Sequence, residues 1–326
     1  MEAASVQAPG GAPQADPPKS GGLSTKAKVL IGFGAYFAIS ILLLLIFGND
    51  GKNEAFKPQN EFKLEPWVTI ELAGIDFSIN KAVLYLVLAS ALTIFTMTWI
   101  AKRMVQKPNR VQTAVEVAYD LTKNTITGGS LHGELARKWF PFIGALFFWI
   151  WFSNMLGFLP LPTNTAHTFS IGGLEIPSFA IYAATANIAI PLVLTLVVWL
   201  SYHVEGIRAK GFLSYLQSWI PAGVEGAARI PIFAIEIISH FVRLVSLSVR
   251  LFANILAGHL LILFMGGGLV VLLNVGIGLA VILGLVTGAL AVAFYLFELG
   301  LVATLQAFIF ATLTAIYLGG AVAGEH

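Results

Sequence analysis

Long apolar runs separated by short charged segments dominate the chain after residue 25. Uncharged runs cover Val29–Phe47, Ala82–Ala101, Trp139–Pro162 and Ile176–Tyr202, and from about Ala227 the chain stays apolar almost to its end. At about 1.5 Å per residue, each of the first four runs can cross a hydrocarbon core of roughly 30 Å as a helix. The last stretch is too long for one crossing, so it predicts a helical hairpin. The pattern therefore predicts an all-α polytopic membrane protein of about six helices.

The polar stretches between the runs divide the chain into three predicted regions. Residues 1–25 are rich in Pro, Gly, Ala and Ser without apolar periodicity, which is typical of a disordered tail. Residues 26–80 hold an extra N-terminal span and an external segment whose end, EPWVTIELAGIDFSIN, hints at short strands or an interfacial segment. A signal peptide is the competing interpretation of Val29–Phe47, but the run is long for one and no small-residue cleavage site follows it. Residues 81–326 form the main membrane domain.

Basic residues cluster at the ends of several runs and predict the topology. The clusters are Lys19, Lys26 and Lys28, then Lys102 to Arg110, then Arg208 and Lys210. The positive-inside rule places all three in the cytoplasm, together with both chain ends, and places the loop LPTNTAHTFSIGGLE outside. After the second cluster, VQTAVEVAYDLTKNTITGG has apolar residues at helical spacing. This segment predicts an amphipathic helix along the membrane surface.

Composition supports the membrane assignment and excludes several classes of function. Hydrophobic residues make up 57% of the 326, charged residues 11%, and the mean hydropathy is +0.82. The net charge of +2 is too small to indicate nucleic acid as a partner, and without cysteine there are no disulfides or thiolate metal sites. The motifs HExxH, GxSxG and GxxxxGK[ST] are absent, so the sequence predicts a non-enzymatic protein without metal or cofactor.

Charged side chains within the apolar C-terminal part carry the candidate chemistry. Glu236, Arg243 and Arg250 are spaced by seven, nearly two helical turns, so they lie along one stripe of a helix. Ser246 and Asn254 fall on or beside that stripe. An ionised side chain at mid-membrane costs about 2.5–3.5 kcal/mol, so each one needs a partner, water or a function.

Two interpretations of the stripe remain open for Glu236 and Arg243, which either form a structural ion pair or serve a functional path. Arg250 differs, because its own helix offers no carboxylate at an i, i+4 position. We therefore expect a functional charge whose partner belongs to another subunit.

Three further polar residues lie in the last apolar runs. His259 follows Arg250 by nine residues, which places it on the opposite helix face, and it either relays protons or packs as a hydrogen-bonded histidine. Glu298 is the one carboxylate within the last apolar run, which favours a functional role. Gln306, two turns later, is cheaper to bury and could instead join helices.

Several of these stretches together resemble subunit a of bacterial F-type ATP synthases, the membrane stator beside the rotating c-ring. The matching motifs are SLSVRLFANILAGH, LQAFIFATLTAIYL, KPNRVQTAVEVAYDL, SNMLGFLP, RAKG and FAIEIISHFVRLVSLSVR, and they extend over roughly residues 80–322. The resemblance implies a multi-pass protein of the bacterial inner (plasma) membrane with a long tilted C-terminal hairpin facing the c-ring. It also implies the b stalk, the F1 sector of the complex and the lipid bilayer as partners.

The resemblance further implies roles for the candidate residues. Arg250 would face the c-ring carboxylate between two offset half-channels, where it prevents a direct proton leak and promotes deprotonation. The positions that line or orient the proton path in the family match Asn254, His259, Glu298, Gln306 and Glu236. Secondary polar positions match Asn154, Ser246 and Arg243. Many members have a carboxylate where this chain has His259 and a histidine near the position of Glu298, so acid and imidazole are exchanged here. The extra span at 29–47 also departs from the family pattern.

A secondary ion transporter or channel is the alternative function, because transporters also use charges within the membrane. No convincing repeat of one half of the chain in the other is present, which weakens this interpretation.

Overall fold

Helices make up most of the chain in our computed structural model, which describes residues 62–64, 66–72, 74–103, 109–171, 174–221, 223–269 and 277–323. The helices are α1 (Lys81–Arg103), α2 (Arg110–Asp120), α3 (Gly133–Gly157), α4 (Ala189–Lys210), α5 (Phe212–Gln217), α6 (Arg229–Leu263), α7 (Ile277–Phe297) and α8 (Ala303–Val322). The predicted tail and the predicted span at 29–47 lie outside the described residues.

Five helical stretches of the described chain are long and apolar enough to cross a membrane, which confirms the all-α polytopic class. They are Lys81–Arg103, Gly133–Gly157, Ala189–Lys210, Gly226–Gly268 and Leu279–Val322. The last two contain 43 and 44 residues and form the predicted hairpin. At 1.5 Å per residue each is roughly 65 Å long, about twice the hydrocarbon thickness, so it crosses the bilayer tilted or curved.

The predicted start of the fourth span is wrong. The run that begins at Ile176 first forms β4 (Leu174–Ala180), which pairs antiparallel with β3 (Leu161–Ile171), and helix α4 begins only at Ala189. A short apolar strand and an apolar helix cannot be distinguished by periodicity alone. The span also continues past Tyr202 to Lys210, because Glu205 is compensated there by Lys138, whose Nζ lies 2.6 Å from its Oε1.

The third predicted span is displaced in the opposite direction, towards the N-terminus. Helix α3 begins at Gly133, before the predicted Trp139, and ends at Gly157, before the predicted Pro162. Its end precedes Pro160 and Pro162, and residues before a proline disfavour helical geometry. The predicted external loop that follows is the β3–β4 hairpin.

The short strands hinted at in residues 48–80 are present as β1 (Glu71–Leu72) and β2 (Ile75–Asp76), which pair antiparallel. The predicted surface helix is α2, where the Asn109 side chain caps the N-terminus by accepting the Gln112 backbone N–H at 2.8 Å. The chain continues from α2 into a π-helical turn, Leu121–Thr127. Val111 and Val117 are exposed on α2, which suits a helix at a membrane interface.

The core lies where α3, α4 and α8 pack together. Ile143, Phe147 and Phe310 are almost fully buried, while small residues such as Ala307 and Ala311 allow the α8 backbone to approach its neighbours. Large apolar side chains are instead exposed along α1, α4 and α7, as expected of surfaces that face lipid rather than water. This packing leaves the long helix α6 with one face against the core and one face that no other described residue covers, here named the free face.

Candidate functional site

Helix α6 has two faces of different character. Leu247, Leu251 and Ile255 recur every four residues and are buried in the core. Arg250 lies to one side of this buried row and is exposed, with Ser246 four residues before it and Asn254 four residues after it, both also exposed. Within the described ranges, Arg250 forms neither an ion pair nor a hydrogen bond. The predicted polar stripe is therefore present, and its Arg250 side chain is exposed.

The N-terminal part of the stripe contains Glu236 and Arg243, for which the sequence left two interpretations open. Arg243 Nη2 donates to Glu236 Oε1 at 2.8 Å, and both side chains are partly exposed. His240, which the sequence reasoning missed, places its Nε2 3.7 Å from the same oxygen. The carboxylate therefore has two neighbours, so the ion pair is one part of a larger polar group.

That polar group lines a cavity of about 480 Å³, here named the basic-end cavity. Its lining residues are Tyr202, Tyr215, Ser218, Trp219, Pro221, Glu236, His240, Arg243, Ile316, Tyr317, Gly320 and Ala321. These residues come from the ends of α4 and α8, the start of α6 and the segment around α5, which is also where Arg208 and Lys210 close α4. Burial raises the pKa of Tyr215 above its ordinary value, so this residue stays a neutral hydroxyl.

At the other end of the bundle, buried polar residues are held through the backbone. Asn154 on α3 donates through Nδ2 to the Ala303 carbonyl at 3.3 Å and accepts the Thr185 hydroxyl at 2.8 Å. Asn154 and Thr185 are fully buried, so both hydrogen bonds form away from water. This amide joins α3 to the start of α8.

His259 is buried and has a backbone carbonyl at each ring nitrogen. Its Nδ1 lies 2.9 Å from the Ile255 oxygen, and its Nε2 lies 2.9 Å from the Gly157 oxygen at the end of α3. The ring also packs on Phe158, with ring centroids 4.7 Å apart. The ring orientation is thus fixed from two helices.

Glu298 is 8% exposed, and its Oε2 has no hydrogen-bond partner in the described part of the chain. It begins a π-helical turn, Glu298–Val302, between α7 and α8, a local distortion that is frequent at functional sites. Gly258 lies directly opposite, since a Cβ atom there would overlap the Glu298 carboxyl group. We name Asn154, Thr185, His259 and Glu298 the buried cluster.

Gln306 is buried eight residues after Glu298, roughly 12 Å farther along the helix. The structure therefore brings Asn154, His259 and Glu298 to one end of the bundle and Glu236 and Arg243 to the other. Arg250, Ser246 and Asn254 remain on the free face between them.

Comparisons with known proteins identify the family. The family model described as ATP synthase A chain matches residues 83–319. The chain belongs to the ATP synthase subunit a family. Subunit a of Maricaulis maris is 33% identical over 270 residues, which cover 82% of this chain and 98% of the relative. Subunit a of Bradyrhizobium diazoefficiens is 35% identical over 271 residues, with coverage of 82% and 98%. Subunit a of Rubrobacter xylanophilus is 34% identical over 265 residues, with coverage of 80% and 92%.

Membership of the subunit a family makes this chain a membrane component of the F0 sector that serves ATP synthesis and proton transport. The structure adds residues to this subunit that sequence reasoning missed, notably His240, Tyr202 and Gly258. One signal was available for His240, which lies four residues after Glu236 and hence on the same helix face. Gly258 gave no such signal, because its importance comes from a contact with a residue 40 positions later.

Proposed function

We propose that this chain is the stator subunit that passes protons to and from the carboxylates of a rotating c-ring. The observation that carries the proposal is Arg250, an exposed guanidinium at the middle of a membrane-crossing helix, unpaired within the described chain. A cation there needs a counter-charge from outside the chain, and a carboxylate on another subunit supplies it. The free face of α6 is where the c-ring would pack.

The polar groups on either side of Arg250 support two separate access routes. Glu236 lies 14 residues before Arg250, roughly 21 Å along the helix, and His259 lies nine residues after it, roughly 14 Å in the opposite direction. The basic-end cavity would be the cytoplasmic half-channel, because basic residues favour that side. The external half-channel would be lined by His259, Glu298, Gln306 and Asn154. Asn254 would connect it to the c-ring.

Arg250 would separate the two routes. Guanidinium groups do not act as proton carriers, and the positive charge of Arg250 repels a proton crossing directly. The same charge favours the ionised form of a passing carboxylate and so promotes proton release. Ser246 and Arg243 would support this arrangement as secondary polar groups.

The remaining parts of the proposal concern the assembly. This subunit would be non-catalytic, and its membrane domain, residues 81–326, would lie in the bacterial inner membrane. It would associate with the b stalk and, through the complex, with the F1 sector. The predicted extra span at 29–47 would place the N-terminus in the cytoplasm.

The test is Arg250→Ala in the assembled complex, measured as proton-driven ATP synthesis in inverted membrane vesicles. We expect synthesis to be abolished while subunit a still copurifies with the other F0 subunits, because the exposed side chain supports no packing within the described chain. Arg229→Ala is the matched control, since Arg229 is an exposed arginine at the first residue of the same helix. Retained synthesis in Arg250→Ala would refute the proposal.

A further inference from the structure

Two histidine–tyrosine pairs lie side by side near the basic end of the bundle. Tyr202 OH and His240 Nδ1 are 3.0 Å apart, and Tyr215 OH and His203 Nδ1 are 2.6 Å apart. The two imidazole rings are neighbours, with centroids separated by 4.8 Å. They differ in access, because His240 lines the basic-end cavity whereas the cavity lining does not include His203.

The second nitrogen of His240 faces the cavity carboxylate. Its Nε2 is 3.7 Å from Glu236 Oε1, too far for a direct hydrogen bond but close enough for electrostatic stabilisation of a charged ring. Along α6, His240 lies ten residues before Arg250, roughly 15 Å away, so it sits between Arg250 and Glu236. A proton moving from the free face to the basic end would pass this ring.

The other lining residues are poor proton carriers. The Arg243 guanidinium and the Glu236 carboxylate already form an ion pair with each other. Tyrosine hydroxyls ionise only near pH 10. Among the described lining residues, histidine is the type whose charge normally changes between pH 5 and 8.

Building on the proposed function, we propose that His240 is a proton-carrying residue of the basic-end cavity. The Nδ1–H group donates to the Tyr202 hydroxyl, which leaves the lone pair of Nε2 facing the cavity. A hydronium ion transfers its proton to Nε2, giving imidazolium and water, and the imidazolium then returns that proton to water beside Glu236. Tyr202 and Glu236 keep their own protonation states throughout, so the proton taken from the hydronium ion is the only one that moves.

Groups of both charge signs surround the His240 ring. The titratable and charged groups near it are Glu236 and Arg243 on α6, Tyr202 and His203 on α4, Tyr215 on α5 and Tyr317 on α8. The Glu236 oxygen stabilises an added positive charge on the ring, whereas burial of the ring and the Arg243 guanidinium oppose it, so the imidazolium is short-lived and gives its proton up readily.

The experiment measures passive proton conduction through the complex in inverted vesicles stripped of the F1 sector, across a range of pH. His240→Gln keeps polar atoms in place but removes titration, and His240→Ala removes the ring. We expect both variants to conduct about tenfold more slowly or worse and to lose the histidine-dependent step of the pH profile. Added imidazole should restore conduction in His240→Ala, since the cavity of about 480 Å³ has room for a five-membered ring.

The matched control is His203→Gln, which replaces a neighbouring histidine that does not itself line the cavity and should keep the wild-type pH profile. Conduction is normalised to the subunit a assembled in each membrane. If the His240 variants fail to assemble, Tyr202→Phe serves instead, because loss of the Nδ1 partner should also slow conduction.

A normal rate and pH profile in His240→Gln, absence of imidazole rescue in His240→Ala, or unchanged conduction in Tyr202→Phe would each overturn the inference. Arg250→Ala, assayed for proton-driven ATP synthesis in vesicles that retain the F1 sector, separates the two proposals. If it abolishes synthesis while the His240 variants behave as wild type, only this inference fails. If it leaves synthesis intact, the proposed function fails.

Discussion

The buried cluster and the basic-end cavity place similar polar groups on opposite sides of Arg250 but hold them in different ways. In the buried cluster, His259 and Asn154 contact backbone carbonyls of neighbouring helices. The Glu298 carboxyl group occupies the space that a side chain at position 258 would fill. In the basic-end cavity, Glu236 contacts the side chains of Arg243 and His240 beside open space. The buried cluster therefore depends on close packing, and the basic-end cavity depends on charge.

A matched pair of glycine substitutions should separate these two dependences, with the largest effect in the buried cluster. Gly258→Ala puts a methyl group where the Glu298 carboxyl group lies, so the carboxyl must move. We expect proton-driven ATP synthesis to fall about tenfold or more, because small displacements of reacting groups are costly. Gly320→Ala adds the same methyl group at the edge of the basic-end cavity, where a Cβ meets nothing within 4 Å, and should leave synthesis unchanged. Equal effects from the two changes would remove the distinction.

Shortening Glu298 and Glu236 by one methylene each should also distinguish the two regions, with a smaller loss of ATP synthesis than Gly258→Ala causes. In Glu298→Asp the acid retreats within a buried site that water cannot readily fill, so synthesis should drop several-fold. In Glu236→Asp the acid remains beside an open cavity, where water can bridge the gap to Arg243, and synthesis should change little. Parallel measurements in the same vesicles decide the matter, and a larger loss in Glu236→Asp would contradict the assigned roles.

The same contrast explains how far the sequence could predict the structure and the site. Three of the spans, the hairpin and the stripe of Glu236, Arg243 and Arg250 were predictable, because helical periodicity and the cost of burying charge act locally. The start of the span predicted at Ile176 was wrong, because an apolar strand has no periodicity that separates it from a helix.

Contacts between distant segments were beyond the reach of the sequence pattern. The hydrogen bond of His259 to the Gly157 carbonyl joins residues 102 positions apart, and backbone carbonyls have no sequence signature. Glu298 could be selected as a lone membrane carboxylate, but not placed against Gly258. The buried cluster therefore depends on tertiary structure, whereas the acid–base group of the basic-end cavity, Glu236, His240 and Arg243, lies within two turns of one helix.

The smallest effect should come from the outer support of the buried cluster. Tyr295 donates its hydroxyl to the Phe158 carbonyl at 2.7 Å, and Phe158 in turn packs on His259. Tyr295→Phe leaves that carbonyl without this donor, which should destabilise the subunit by about 1 kcal/mol without abolishing synthesis. Thermal release of subunit a from the purified complex measures the loss, with Tyr119→Phe on the exposed surface of α2 as the control. If Tyr295→Phe releases subunit a no earlier than the control does, the backbone contacts of His259 alone hold Phe158 and the ring in place, and the buried cluster needs no support from α7.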